Sequence, residues 1–160
     1  MTVNVFVSNL AEAGKINHHF DSVISVLSPG YLNFAHGDHL YVPMDDTADP
    51  RWGDAPTVDN IKTIVDWATP RVFDDNKILV HCYAGMSRST ATALGLCVLG
   101  GMDEDDAWAH VYEERPDLNR DFIPNPLILS HFDKVLGSHL LEGSDRKWEL
   151  NRKLGWATRW

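Results

Sequence analysis

Cysteine is scarce in this 160-residue chain: only Cys82 and Cys97 are present, which excludes a scaffold built on disulfides. No apolar run approaches the ~20 residues that a membrane-spanning helix needs. The opening stretch from Met1 to Val7 lacks a basic region and a cleavage-site pattern, so no signal peptide is expected and a reducing cytoplasm is the expected setting. Basic residues are also few. Fourteen Lys and Arg stand against 23 Asp and Glu, for a net charge of −9. That field opposes nucleic acid or an anionic membrane as the main partner, although a local site can still attract a small anion. No internal repeat or low-complexity tract is visible. What remains is ordinary for a globular domain, with 44% hydrophobic and 23% charged residues. A chain of this length makes one domain and buries about 70% of its unfolded surface.

The hydrophobic pattern alternates between strand and helix. Val3, Val5 and Val7 read as a strand, residues 9–17 as a short helix, and Val23–Leu27 as a strand stopped by Ser28-Pro29-Gly30. His39–Val42 forms a third strand. Residues 43–56 follow as a long loop holding Pro43, Pro50, Pro56 and the aspartates 45, 46, 49 and 54; loops this long are often functional. Ile61, Ile64, Val65 and Ala68 share one face of a helix from Val58 to Ala68, and Ile78-Leu79-Val80 reads as a buried strand. Helices are predicted from Arg88 to Leu99 before Gly100, from Asp103 as cap to Glu114, and from Pro126 to Leu136 before Gly137. Interleaved strands and helices predict an α/β fold with a central, mostly parallel sheet flanked by helices.

The chemistry concentrates in Val80-His81-Cys82-Tyr83-Ala84-Gly85-Met86-Ser87-Arg88-Ser89-Thr90, between a predicted strand and a predicted helix N-terminus. Free backbone N–H groups and the helix dipole make such a junction an anion hole. A cysteine placed there is expected to be a thiolate near neutral pH. The five residues between Cys82 and Arg88 are enough to wrap a tetrahedral anion. Arg88 then offers a bidentate fork, and Gly85 lets the chain turn so that the amides of Tyr83, Ala84, Gly85, Met86, Ser87 and Arg88 converge. A nucleophile, an oxyanion cradle and a fixed guanidinium suit phosphoryl transfer through a cysteinyl-phosphate, with no cofactor or metal expected. At this composition the pattern His-Cys-x-x-Gly-x-x-Arg-Ser/Thr arises by chance in about 3 × 10⁻⁵ of such chains. A sulfur-carrying cysteine loop is the competing use of such a site; His81, Gly85 and the Arg88-Ser89 pair disfavour it.

The stretch HCYAGMSRST resembles the signature of the cysteine-dependent protein tyrosine phosphatases, and the domain's length resembles their compact dual-specificity branch. Leu40–Thr47 looks like the family's strand leading to its general-acid loop. Arg115-Pro116 through Pro124-Asn125 and the helix after them resemble the segment beyond the signature helices. The resemblance spans residues 1–137 as a phosphatase domain with the protein tyrosine phosphatase-like fold. It implies that Cys82 attacks phosphorus, Arg88 holds the equatorial oxygens, Ser89 supports the sulfur as leaving group, and His81 sets the loop. It also implies an aspartic acid in loop 43–56 as proton donor. Asp46, an acid followed by Thr, fits that place best, with Asp45, Asp49 and Asp54 as competitors.

The expected substrate is a phosphorylated protein or peptide carrying phosphotyrosine, with phosphoserine and phosphothreonine left open. A small-molecule or inositol-phosphate phosphatase and a non-catalytic phosphoprotein-binding module are the alternatives. The loop lacks the lysines that phosphoinositide phosphatases of this superfamily often carry there. Trp52 and the acidic loop around it could contact the substrate and favour neutral or basic flanks. Peroxide inactivation at Cys82 is a further expectation, whereas Cys97 reads as core. His18 and His19 lack metal-ligand spacing. Residues 138–160 form a tail with Trp148, Trp156 and Trp160 among five basic residues. It is expected to pack on the acidic domain, since three exposed tryptophans would be an association liability.

Overall fold

The computed structural model describes residues 3–31, 34–118 and 122–144. Its elements follow the predicted order: β1 (Val5–Ser8), α1 (Leu10–Ile16), a 3₁₀ turn (Asn17–His19), β2 (Ser22–Leu27), β3 (His39–Pro43), α2 (Val58–Phe73), β4 (Ile78–His81), α3 (Arg88–Leu99), α4 (Glu104–Glu114) and α5 (Pro126–Leu136). The four strands are all parallel, in the order β1-β4-β2-β3. Parallel strands need crossover connections and have both faces covered, which is why β2 and β4 are buried at every position.

The two faces of the sheet carry different cores. Ile24, Val26, Ile78 and Val80 point to the larger one, where α3 lies among α2, α4 and α5. Gly95 permits the closest approach in that core: a Cβ there would fall 2.3 Å from the Phe132 ring of α5. Val23 and Leu79 point the other way, toward Ala13 of α1 and the rings of Phe6, Phe20 and Phe34. Ser25 and His81 lie across from each other in the same strand pair. By the two-residue alternation of strands they share this second face.

Helix ends obey local chemistry. Thr57 and Asn60 close a reciprocal capping box on α2, Asp103 caps α4, and Gly137 ends α5 in the left-handed conformation at φ 68°. One boundary departs from the pattern. α2 runs through Pro70 to Phe73 rather than ending at Ala68. Proline forgoes one helical hydrogen bond. The extra turn is held by buried Val72, by Arg71 gripping Asp38 with two 2.7 Å hydrogen bonds, and by that guanidinium stacking 3.7 Å over Trp67.

Beyond Gly137 the chain stays on the domain. Ser138 Oγ and the Leu140 amide donate to Asp133, Leu140 is fully buried, and Gly143 lies against the Trp108 indole. The three tryptophans of the tail fall in 145–160, outside the described residues. No helix among the described residues is long and apolar enough to cross a membrane.

Candidate active site

The signature loop leaves the carboxyl end of β4, a strand inside the sheet, and turns into α3. Crevices beyond the carboxyl ends of parallel strands are the usual ligand sites of such sheets. Cys82 sits at the bottom, 2% exposed. The Gly85 amide donates to its sulfur at 3.2 Å, and Ser89 Oγ lies 3.1 Å from the sulfur. Gly85 makes the turn at φ +68°. A Cβ there would lie 2.7 Å from the Ser8 backbone and 2.1 Å from Arg115 Nη1. Only glycine fits both the conformation and the space. Arg115, nearly buried, spans its own Asp117 and the loop: Nη1 donates to the Gly85 carbonyl at 2.5 Å.

Arg88 opens α3 and is 7% exposed. Its Nη1 donates to the Met44 carbonyl at 2.9 Å and to Ser28 Oγ at 3.2 Å, which fixes the guanidinium from the side of β2 and β3. Its Nε is buried without a hydrogen-bond partner among the described residues. Buried donors in folded proteins are almost always satisfied; this one belongs to the first residue of α3. Ser87 stands at the N-cap of α3 but does not cap it. Its hydroxyl instead donates to Asp46 Oδ1 at 2.7 Å, so no N-cap side chain occupies the helix N-terminus. The arrangement can hold a tetrahedral oxyanion over the sulfur.

The four loop aspartates separate in space. Asp46 accepts a second hydrogen bond at the same Oδ1, from Asn125 Nδ2 at 2.8 Å, while Oδ2 has no partner among the described residues. Asp45 accepts from Trp52 Nε1 at 2.9 Å. Hydrogen bonds from Ser28 and Trp52 and the Arg88 charge hold its carboxyl below the usual range. Asp49 is turned to Arg51, in an exposed bidentate pair. Asp54 contributes a backbone carbonyl to the Asp45 amide.

Arg88 and Ser28 line two adjoining clefts. One, about 270 Å³, is walled by Leu27, Tyr31 and Tyr83. The other, about 430 Å³, is walled by Asp45, Asp46, Thr47 and Trp52. Tyr31 and Tyr83 meet edge to face at 5.9 Å. These two rings and Trp52 are each more than half exposed, so aromatic surface rims both sides of the buried Cys82 and Arg88.

His81 is fully buried behind the loop. Its Nε2 lies 2.5 Å from Ser25 Oγ and its Nδ1 lies 3.3 Å from the Cys82 carbonyl oxygen. Burial pushes its pKa down to about 4, so the ring is neutral at pH 7. Cys97 is in the core, where burial pushes its thiol up to about 12. His18 and His19 lie with their rings tilted against each other, 4.0 Å between centroids. No group of three or more His, Cys, Asp or Glu that could hold a metal ion occurs among the described residues.

The structure thus brings His81, Cys82, the loop 83–87, Arg88, Ser89 and Asp46 to one place. It adds Ser25, Ser28, Tyr31, Arg115 and Asn125, which sequence reasoning did not single out as functional. Asn125 before Pro126 carries a readable helix-cap signal; that its amide also reaches Asp46 is a tertiary fact with no local signature.

No family model and no curated protein matches the chain. Solved structures do. Human DUSP28 superposes with a TM-score of 0.63 at 18% identity, covering 91% of this chain and 96% of that one. Tk-PTP in its active form gives 0.61 at 20% identity, covering 88% and 93%. Human tyrosine phosphatase-like serine/threonine/tyrosine-interacting protein gives 0.60 at 18%, covering 84% and 91%. These likenesses run over nearly the whole of both chains, and this chain therefore has the α/β fold of the compact tyrosine and dual-specificity phosphatases.

Proposed function

We propose that this protein is a phosphatase that hydrolyses phosphotyrosine in proteins or peptides through a cysteinyl-phosphate on Cys82. The observation that carries the proposal is Arg88: its Nη1 is anchored on Met44 and Ser28, and its buried Nε has no hydrogen-bond partner among the described residues, at the N-terminus of the helix that follows the Cys82 loop. A phosphoryl group is the ligand that satisfies this donor, the open N-terminus of α3 and the nucleophile together. Arg88 binds the equatorial oxygens, with the backbone amides of residues 83–88 around them. Cys82 displaces the leaving oxygen in line, and Asp46 Oδ2 protonates it. Ser89 supports the departing sulfur when water cleaves the intermediate. Phosphotyrosine fits the rim: the aryl ring separates phosphorus from the peptide backbone, and Tyr31, Tyr83 and Trp52 offer it aromatic walls.

The test is hydrolysis of p-nitrophenyl phosphate in EDTA by wild type and Cys82→Ser, followed by a panel of phosphotyrosine and phosphoserine peptides. Turnover by wild type alone is expected, with phosphotyrosine peptides preferred. No turnover by folded wild type would overturn the catalytic reading and leave a phosphoprotein-binding module.

A further inference from the structure

A stripe of polar side chains crosses the second face of the sheet. His39 of β3, Ser25 of β2 and His81 of β4 come from three adjacent strands. Ser25 Oγ lies 2.7 Å from His39 Nε2 and 2.5 Å from His81 Nε2. Ser25 and His81 are fully buried. Phe34 stacks parallel on the His39 ring at 5.4 Å and tilts against the His81 ring at 5.2 Å, so one phenyl group covers both imidazoles. Buried polar groups in a core are costly unless every donor meets an acceptor.

The bonding has a direction. The Cys82 carbonyl can only accept, so the nitrogen facing it, His81 Nδ1, must carry the proton. A neutral imidazole carries one N–H, so His81 Nε2 is a lone pair. Ser25 therefore donates its single hydroxyl proton to His81. Toward His39 the same oxygen can only accept, which requires a proton on His39 Nε2. The reverse direction would set the lone pair of His81 Nδ1 against the Cys82 carbonyl. A serine hydroxyl alone can rotate to serve either tautomer; the donor on its other side removes that choice.

We propose that Ser25 and His39 are positioning residues: they hold His81 in the tautomer that donates from Nδ1 to the Cys82 carbonyl and so fix the first peptide of the phosphate cradle. The proposal rests on the reading of Cys82 as nucleophile, but its central claim concerns ring protons that can be observed without turnover. The order from outside inward is His39 Nε2–H to Ser25 Oγ–H to His81 Nε2, then His81 Nδ1–H to the Cys82 oxygen.

Long-range ¹H–¹⁵N correlation spectra of the ¹⁵N-labelled protein at pH 7 read the tautomers directly. The expected result is protonated Nδ1 and bare Nε2 at His81, with protonated Nε2 at His39. In Ser25→Ala and in His39→Leu the His81 signals should move toward a mixture of tautomers. The kcat for p-nitrophenyl phosphate should fall about five- to tenfold, the scale of one lost hydrogen bond. His39→Gln, whose side-chain amide can still donate to Ser25, should recover most of both. Protonated Nε2 at His81 in wild type overturns the proposal. So does a His39→Leu variant with unchanged His81 signals and unchanged kcat. If folded wild type turns over nothing, the phosphatase reading fails by itself, and the ring spectra still decide the direction of the chain.

Discussion

Asn125 Nδ2 lies 2.8 Å from Asp46 Oδ1 and 3.1 Å from the Thr47 carbonyl, while its own Oδ1 caps α5 through the Leu127 and Ile128 amides. Its backbone N–H donates to the Ser87 carbonyl at 3.0 Å. One residue, 2% exposed, therefore ties the acidic loop, the cysteine loop and α5 together. Asn125→Ala should cost about 1–3 kcal/mol of stability, from the lost cap and the unpaired buried groups. It should also lower kcat more than it raises KM, because Asp46 loses one of its two anchors. Urea unfolding and steady-state kinetics check the two effects separately. Asn125→Asp should restore the cap but not the kcat, since it sets a carboxylate against Asp46.

The adjacent carboxylates Asp45 and Asp46 are expected to differ in role. Asp46 presents an Oδ2 with no partner among the described residues, whereas the Asp45 carboxylate is tied to Trp52 and Ser28 and held below the usual range beside Arg88. Asp46→Asn should reduce kcat on a phosphotyrosine peptide by roughly 10²–10⁴-fold, the usual worth of a general acid. The reduction should shrink for p-nitrophenyl phosphate, whose leaving group needs little protonation. Asp45→Asn should mainly change KM, through the loosened Trp52 wall. A larger kcat loss in Asp45→Asn than in Asp46→Asn would reverse the assignment.

His81 makes stability depend on pH. Its folded pKa of about 4 lies below the ordinary 6.5, so the unfolded chain binds more protons between these values. The neutral ring's contribution is complete above about pH 6.5 and is lost as pH falls toward 4. It amounts to something on the order of 3 kcal/mol. Urea midpoints measured from pH 7 to pH 4.5 should fall, and the fall should be shallower in His81→Gln. Equal slopes in the two proteins would show that carboxylates elsewhere govern the acid limb.

Much of this architecture was legible in the chain itself. Strand runs such as Val23–Leu27 and Ile78–Val80, glycine stops, and the helix starts at Asp103 and Pro126 are local signals, because backbone sterics and hydrogen-bonding needs act over a few residues. The Cys82-to-Arg88 loop was legible for the same reason: it joins a strand end to a helix start through one close glycine. α2 was misjudged by one turn, because Pro70 sends a local stop signal that Val72 and the Arg71–Asp38 pair override from a distance.

Local sequence therefore sets the order of elements, the parallel α/β class and the place of the cysteine loop between a strand and a helix. Long-range packing sets which aspartate Ser87 and Asn125 hold, which side chains hold Arg88 and Gly85, and that Ser25 lies against His81. Those relations join residues 30 to 79 positions apart in the chain. The spacing between such residues is set by the packing of strands and helices, and no local pattern encodes it.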